Sequence, residues 1–446
     1  MMRSADMEDY FAGLAALLDR SLSAGEVYTC GFAAEVSDFV RLNRGKVRQP
    51  GTVAQRYLRL SLIRGRKHAE QCSSLSGVLA EDQVRITSAL ASLRGMIGEL
   101  PDDPHLDYAT AVQSSRVVKS DPLPASDEVV ATVLDAASGL DLVGIYTAGP
   151  VYRGFANSLG QRNWHEVESF NLQWSLYHRA DKAVKSGYGG FAWGADDFAS
   201  KMHDARERLG LLANPARSLE PGRYRAYLTP SAMEEIAGMM CWGGFSGRAL
   251  ATRQSCMFRL QDGSVALDPS VAVSENTAQG MAPGFQGEGF ARPAKVPLIA
   301  EGRLVGSLVN PRTAKEFDLA ANAANSSEAP ESLDMAAGAL PAHDALAALD
   351  TGLYVGNLWY LNFSDRPACR ITGMTRFASF WVERGKIVAP VNVMRFDDSV
   401  FCLFGDKLVG LTAERELVVN SDSYGERNVN SMRLPGAVVR DMAFTL

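Results

Sequence analysis

The 446 residues hold no CxxC pair, and Cys30, Cys72, Cys241, Cys256, Cys369 and Cys402 are too scattered to suggest a zinc knuckle or a disulfide framework. Free thiols in a reducing compartment are expected, and with them a cytoplasmic location. Histidine is scarce too: His68, His105, His165, His178, His203 and His343 include no pair at the i, i+4 spacing that sets two ligands on one helical face. No run approaches the ~20 apolar residues of a membrane span. The N-terminal MMRSADMEDYFAGLAALLDR carries acids where a secretory leader needs a basic flank, and its apolar positions are spaced as on an amphipathic helix. A net charge of -6 with interspersed signs leaves no basic stripe, which argues against nucleic acid as a direct partner. Phosphate cradles are missing as well. SGYGGFAWG at 186–194 has neither a Walker lysine nor a dinucleotide fingerprint and reads as a loop. GGFSG at 243–247 fails the G-x-S-x-G spacing because Arg248 stands where the last glycine belongs, so it reads as a turn needing positive φ.

What is present is ordinary globular material, 46% hydrophobic and 22% charged, long enough for more than one core. Two domains are expected, 1–139 and 140–446. In the first, residues 4–23 read as a helix, and 27–77 as an antiparallel meander with turns at Asn43, Gly45 and Pro50-Gly51. Helices follow over 81–100 and 127–138, joined by a polar connection containing Pro122 and Pro124. In the second, two long strands meet around 158–162, 186–190 is a turn, and 196–211 is a helix. Residues 253–267 read as a strand and 297–309 as a hairpin around Glu301-Gly302. The alanine-rich 317–341 is expected to be a flexible loop. GLYVGNLWYLNF, MTRFASFWVERGKIVAPV, SVFCLFGDKLVGL and AVVRDMAFTL are all strand candidates. The expected class is α+β: an N-terminal α/β meander domain, then a domain of long antiparallel sheets with flanking helices.

The organising stretch is Tyr227 to Arg248, YLTPSAMEEIAGMMCWGGFSGR, a strand running into a helix and then a glycine turn. Thr229 suits a cap and Pro230 the first helical position, while Ala232, Met233, Ile236, Ala237 and Met240 recur at helical spacing. A metallopeptidase helix would supply two imidazoles and a carboxylate base; this one carries Glu234 and Glu235 and no histidine. His165-Glu166 in a strand reads as an ordinary half-buried histidine, and His203 with Glu207 as a solvated helix face. Cys241 and Cys256 read as small core residues. Aromatic and polar residues alternate at Tyr354, Asn357, Trp359 and Tyr360 and again at Phe377, Phe380 and Trp381. This pattern suits either a sheet packed through its aromatic face or a groove lining that holds an extended peptide.

Several blocks together resemble the TldD/PmbA family, once called modulators of DNA gyrase. They are GIYTAGPVYRGFANSLGQRNWHE (144–166), YLTPSAMEEIAGMMCWGGFSGRAL (227–250), GFQGEGFARPAKVPLIAEGRLVGSLVNPRTAKEF (284–317), GLYVGNLWYLNF with RFASFWVERGKIVAPV (352–391), and SYGERNVNSMRLPGAVV (423–439), in the family's order. The resemblance implies a two-subunit shell around a peptide channel, with zinc on a TldD-like subunit held by His-Glu-x-x-x-His and a distant cysteine. Aligned on Pro230, those positions fall at Gly238, Met239, Gly243 and Met394, which is similar to the TldE (PmbA) branch that lacks the metal. Gln286 stands where the family usually has an acid before EG. The expectation is a non-catalytic TldE-like subunit with no catalytic residues and no cofactor of its own. It would pair with a TldD-like zinc metalloprotease and act on small or unfolded peptides, with Tyr354, Asn357, Trp359 and Tyr360 as channel lining. The alternative is a stand-alone peptide-binding or scaffold protein, a homodimer without hydrolytic activity.

Overall fold

The structure, a computed structural model, describes residues 4–119, 121, 123–179 and 182–445. Pro122, expected in the polar connection, lies outside the described residues. The chain opens with helix α1 (Ser4–Ser21) and the meander β1 (Val27–Asn43), β2 (Lys46–Arg64) and β3 (Lys67–Ser74). Helix α2 (Leu79–Ile97), strand β4 (Ser115–Lys119) and helix α3 (Ser126–Ala136) follow, then β5 (Asp141–Asn157), β6 (Arg162–Arg179), β7 (Lys182–Gly190) and helix α4 (Ala195–Leu211). The strands form one sheet in the order β3-β2-β1-β5-β6-β4, with β7 beside the far half of β6. The period-2 pattern of β1 explains its two faces. Cys30, Phe32 and Ala34 are buried toward α1 and α2, where Phe32 stacks on Phe11 at 5.1 Å, while Gly31 and Ala33 face the other way, half-buried.

The second sheet is built from β8 (Gly222–Leu228), which leads directly into helix α5 (Pro230–Cys241), and from β9 (Val273–Glu275), β10 (Val296–Ala300), β11 (Arg303–Leu304) and β12 (Ser332–Met335). It is completed by β13 (Gly352–Asp365), β14 (Arg370–Glu383), β15 (Lys386–Pro390), β16 (Arg395–Ser399), β17 (Leu408–Val419) and β18 (Ser431–Phe444). The order is β11-β10-β9-β12-β18-β16-β14-β13-β8. Strand β8 pairs with β13 on one side and β18 on the other, so β18, β16, β14, β13 and β8 close a ring. The sheet is mixed, since β12–β18 and β8–β13 run parallel. Helix α5 packs on β13 and β18 through Met233, Ile236 and Met240. A separate apolar layer holds the two sheets together, with Tyr146, Phe170 and Trp174 of the first meeting Tyr227, Tyr354 and Phe380 of the second.

Several sequence expectations need correction. A division at 139/140 runs through the first sheet, because β5 and β6 pair with the meander; the chain passes from one sheet to the other between Gly190 and Gly222. Pro50-Gly51 is not a turn but part of β2, opposite Val40 and Phe39, in the stretch that has no strand on its other side. Residues 186–190 belong to β7; a side chain at Gly187 would come within 2.7 Å of Gln173, so the glycines there serve close packing. Residues 253–267 contain a short helix at Phe258–Gln261, and SVFCLF another at Val400–Leu403, because short apolar runs suit either state. The expected flexible loop 317–341 contributes β12 to the middle of the second sheet. Its Glu328 is buried and accepts hydrogen bonds from Ser246 Oγ, Arg248 N and Asn310 N. No helix among the described residues is long and apolar enough to cross a membrane.

Candidate functional site

Helix α5 begins as its sequence dictates: Thr229 Oγ1 accepts from Ala232 N, Pro230 stands in the first turn, and Thr229 Oγ1 donates to Gly356 O at 2.6 Å. That bond fixes the helix start to β13. Met239 is buried in the large apolar core, as is Met394, while Gly243 takes φ 73 in the turn beyond the helix. Glycine offers no donor and a thioether is a poor zinc ligand, so the side chains at Gly238, Met239, Gly243 and Met394 do not fit a zinc ion. Among the described residues no three His, Cys, Asp or Glu side chains gather in a group that could hold a metal.

The polar side of α5 is more informative. Ser231, Glu234 and Glu235 face Lys185 of β7, Asn357 of β13 and Glu416 of β17 across a small pocket of about 30 Å³ where the two sheets meet. Burial, and then the neighbouring Glu235, push the Glu234 carboxyl up to about 7, against the opposing pull of Lys185. Burial raises Glu235 as well. Glu234 therefore exchanges a proton near neutrality. From Lys185 a run of rings and cations leads to the surface. Lys185 lies over the Phe377 ring at 5.8 Å, Arg376 lies over Phe377 at 5.7 Å and over Trp359 at 4.8 Å, and Trp359 packs on Tyr360 at 5.4 Å. Tyr360 and Phe377 take φ of 58° and 59°, a conformation that costs an aromatic residue of order 1–2 kcal/mol. Both sit at breaks in the β13–β14 register, and such bulges re-aim side chains.

The four residues expected to line a channel therefore divide. Trp359 and Tyr360 are 43% and 75% exposed on this surface, and Asn357 lines the carboxylate pocket. Tyr354 is buried between the sheets against Tyr227 and Phe380. Lys185 and Arg376 were missed: Arg376 precedes Phe377, a pairing too common to single out, while Lys185 stands between Val184 and Ser186 with no local signal. The other expected features are structural. His165 is fully buried, its Nε2 2.9 Å from Met281 O, and burial lowers it to about 4. His203 pairs with Glu207 on the exposed face of α4. Ser246 caps the next helix, accepting from Ala249 N. Burial drives the Cys241 thiol up, away from a thiolate, and Cys256 is buried with its thiol hydrogen-bonded to Cys369.

A larger cleft of about 720 Å³ opens elsewhere, between the outer face of the first sheet and two loops of the second unit, 283–287 and 422–430. Its floor is Gly31 and Ala33 of β1, flanked by Tyr57 and Arg59 of β2 and Arg153 of β5. Arg153 pairs with Glu426 at 3.0 Å. Arg427 ties the second loop down from beneath, donating to Ser37 Oγ, Gly149 O and Ser169 O, and burial pulls its guanidinium down to about 10.

A family profile described as PmbA/TldA metallopeptidase C-terminal domain matches residues 221–446, a span that contains the whole second sheet. Among solved structures, TldE from Thermococcus kodakarensis aligns with a TM-score of 0.77 at 13% identity, covering 99% of this chain and 100% of that one. A Bacteroides thetaiotaomicron protein described as a modulator of DNA gyrase aligns at 0.75 and 15% identity over 100% of both chains. A Thermotoga maritima protein of the same description aligns at 0.73 and 14% identity, over 98% of this chain and 100% of that one. At such identities the likeness is one of fold. No curated protein matches the chain.

Proposed function

The chain belongs to the PmbA/TldD metallopeptidase family, and from that premise we propose that it is the subunit without a catalytic metal in a two-subunit peptidase. Its partner is a TldD-like zinc metalloprotease, and together they act on small or unfolded peptides. The observation that carries this reading is the donor set on and around α5: two glycines and two buried thioethers at the positions where the resemblance places imidazoles, a carboxylate and a thiolate. Likeness of fold to a TldE supports it.

The contribution of this chain is physical. The β13–β14 surface, with Trp359 and Tyr360 exposed and Asn357 behind them, forms part of the channel wall. A wall that holds a peptide extended lowers the entropic cost of presenting its scissile bond to the metal site of the partner. The six free cysteines suit a reducing, cytoplasmic setting. Co-expression with a TldD-like partner tests the proposal: the two chains should co-purify, peptide hydrolysis should need both, and zinc should be found in the partner alone. Zinc-dependent hydrolysis by the isolated chain would overturn it. A stable homodimer in sedimentation, with no hydrolysis in any mixture, would favour a peptide-binding scaffold.

A further inference from the structure

The cleft between β1 and the loops 283–287 and 422–430 shares no residue with the α5 pocket. Its volume, about 720 Å³, lies in the range of sites that enclose a small ligand. Two of the segments that carry the family resemblance, GFQGEG at 284–289 and SYGERNVN at 423–430, make its roof yet contribute nothing to α5.

Its chemistry narrows the ligand. Three arginines, Arg59, Arg153 and Arg427, stand against three carboxylates, Glu331, Asp422 and Glu426. Arg59 is already paired with Glu70 at 2.6 Å and Arg153 with Glu426, so no arginine is left to select a phosphate or another anion. Two buried polar atoms on lining residues lack partners, the donor Gln286 Nε2 and the acceptor Glu426 Oε2. Gln286 is more than nine-tenths buried, and its Oε1 is occupied by Glu288 N. Leaving such groups unpaired costs about 1–3 kcal/mol each, which a ligand offering one C=O and one N–H would relieve. A peptide unit offers that pair. Over the floor there is open space: a Cβ built on Gly31 meets nothing within 4 Å, and Tyr57 and the fully exposed Tyr424 stand at its sides.

We propose that this cleft is a second peptide site, binding a short, uncharged, extended segment through its main chain and holding substrate away from the metal-bearing partner. The proposal rests on the peptide reading above, and its test separates the two. Gly31→Trp and Gly287→Trp fill the cleft from opposite walls; a Cβ at either glycine has nothing within 4 Å. The probe is a fluorescein-tagged, end-blocked hexapeptide of alternating alanine and glutamine, read by anisotropy on the full chain. Exposed Cys72 on the cleft wall provides a second readout through its alkylation rate. The expected result is saturable binding that weakens at least tenfold in either variant, and alkylation of Cys72 slowed several-fold by peptide in the parent alone. Absence of saturable binding by the parent overturns the proposal. So does unchanged affinity in a variant with the parent's circular dichroism, or protection of Cys72 by maltohexaose and not by the peptide. If cleft binding fails while the two-chain complex still hydrolyses peptide, the cleft assignment alone falls. If peptide binds here and no partner confers hydrolysis, the peptidase reading falls and the cleft stands.

Discussion

Burial holds the Glu234 carboxyl at about 7, and the Arg94 guanidinium, with Arg64 beside it, holds Glu26 down at about 2. The two make opposite demands on pH. Between the ordinary 4.5 and about 7, folded Glu234 keeps a proton that the unfolded chain has released, so its effect on stability worsens as pH rises through that window. Glu234→Gln should raise stability by roughly 1–2 kcal/mol at pH 8 and leave it unchanged at pH 4. Glu26, almost fully buried, stabilises the fold above 4.5 and loses that contribution as pH falls toward about 2. Glu26→Gln should cost about 3 kcal/mol at pH 7, shrinking toward acid. Urea titrations of both variants at several pH values give each sign directly.

At the scale of elements, the β13–β14 hairpin combines exposure with strain. Tyr360 has a left-handed backbone and a ring mostly in solvent, so Tyr360→Asn should add about 1 kcal/mol of stability, because asparagine tolerates that conformation. If the ring lines the proposed channel, the same change should also lower peptide hydrolysis by the proposed two-chain complex; a gain in both would place the ring outside the path. The hairpin's two strands were legible in the sequence as stretches of aromatic and apolar residues broken by polar ones, but their pairing was not. Also legible was α5, through Thr229, Pro230 and the 3.6-residue spacing of its apolar face. The misread stretches share a cause. Pro50 and Gly187 look like turn residues in isolation, yet an unpaired strand margin tolerates the first and a crowding Gln173 requires the second, and both facts belong to distant neighbours. Which of the four aromatic-strand residues would face out was hidden for the same reason: the bulges that turn Tyr360 outward depend on the register with β14. The cleft draws on segments near residues 31, 153, 286 and 426, and no local pattern announces such a meeting.

For the whole molecule, the layer between the sheets decides how the chain unfolds. Tyr227, Tyr354, Phe380, Val382 and Val438 of the second sheet are buried against the first unit, so each half, beyond the core it closes by itself, depends on the other to cover this layer. The full chain should unfold in one cooperative step. A fragment covering 221–446 should bind a hydrophobic dye and melt well below it, even though that span matches a profile of the family. Scanning calorimetry of both checks the expectation; an equally stable fragment would show that the shared layer adds little. Burying a large aromatic side chain is worth roughly 2–3 kcal/mol, so losing three together, about 6–9 kcal/mol, is comparable to the ~5–15 kcal/mol by which a typical fold is stable.

The ring closed by β8 has one more consequence. A sheet with open margins invites any passing extended chain to dock by backbone pairing, whether a substrate or an aggregating neighbour. Along β8 both sides are already occupied over Ala226 to Leu228, immediately ahead of α5. An extended chain that approaches this part of the molecule therefore meets side chains and not a bare template, so it cannot be stitched on by backbone pairing there.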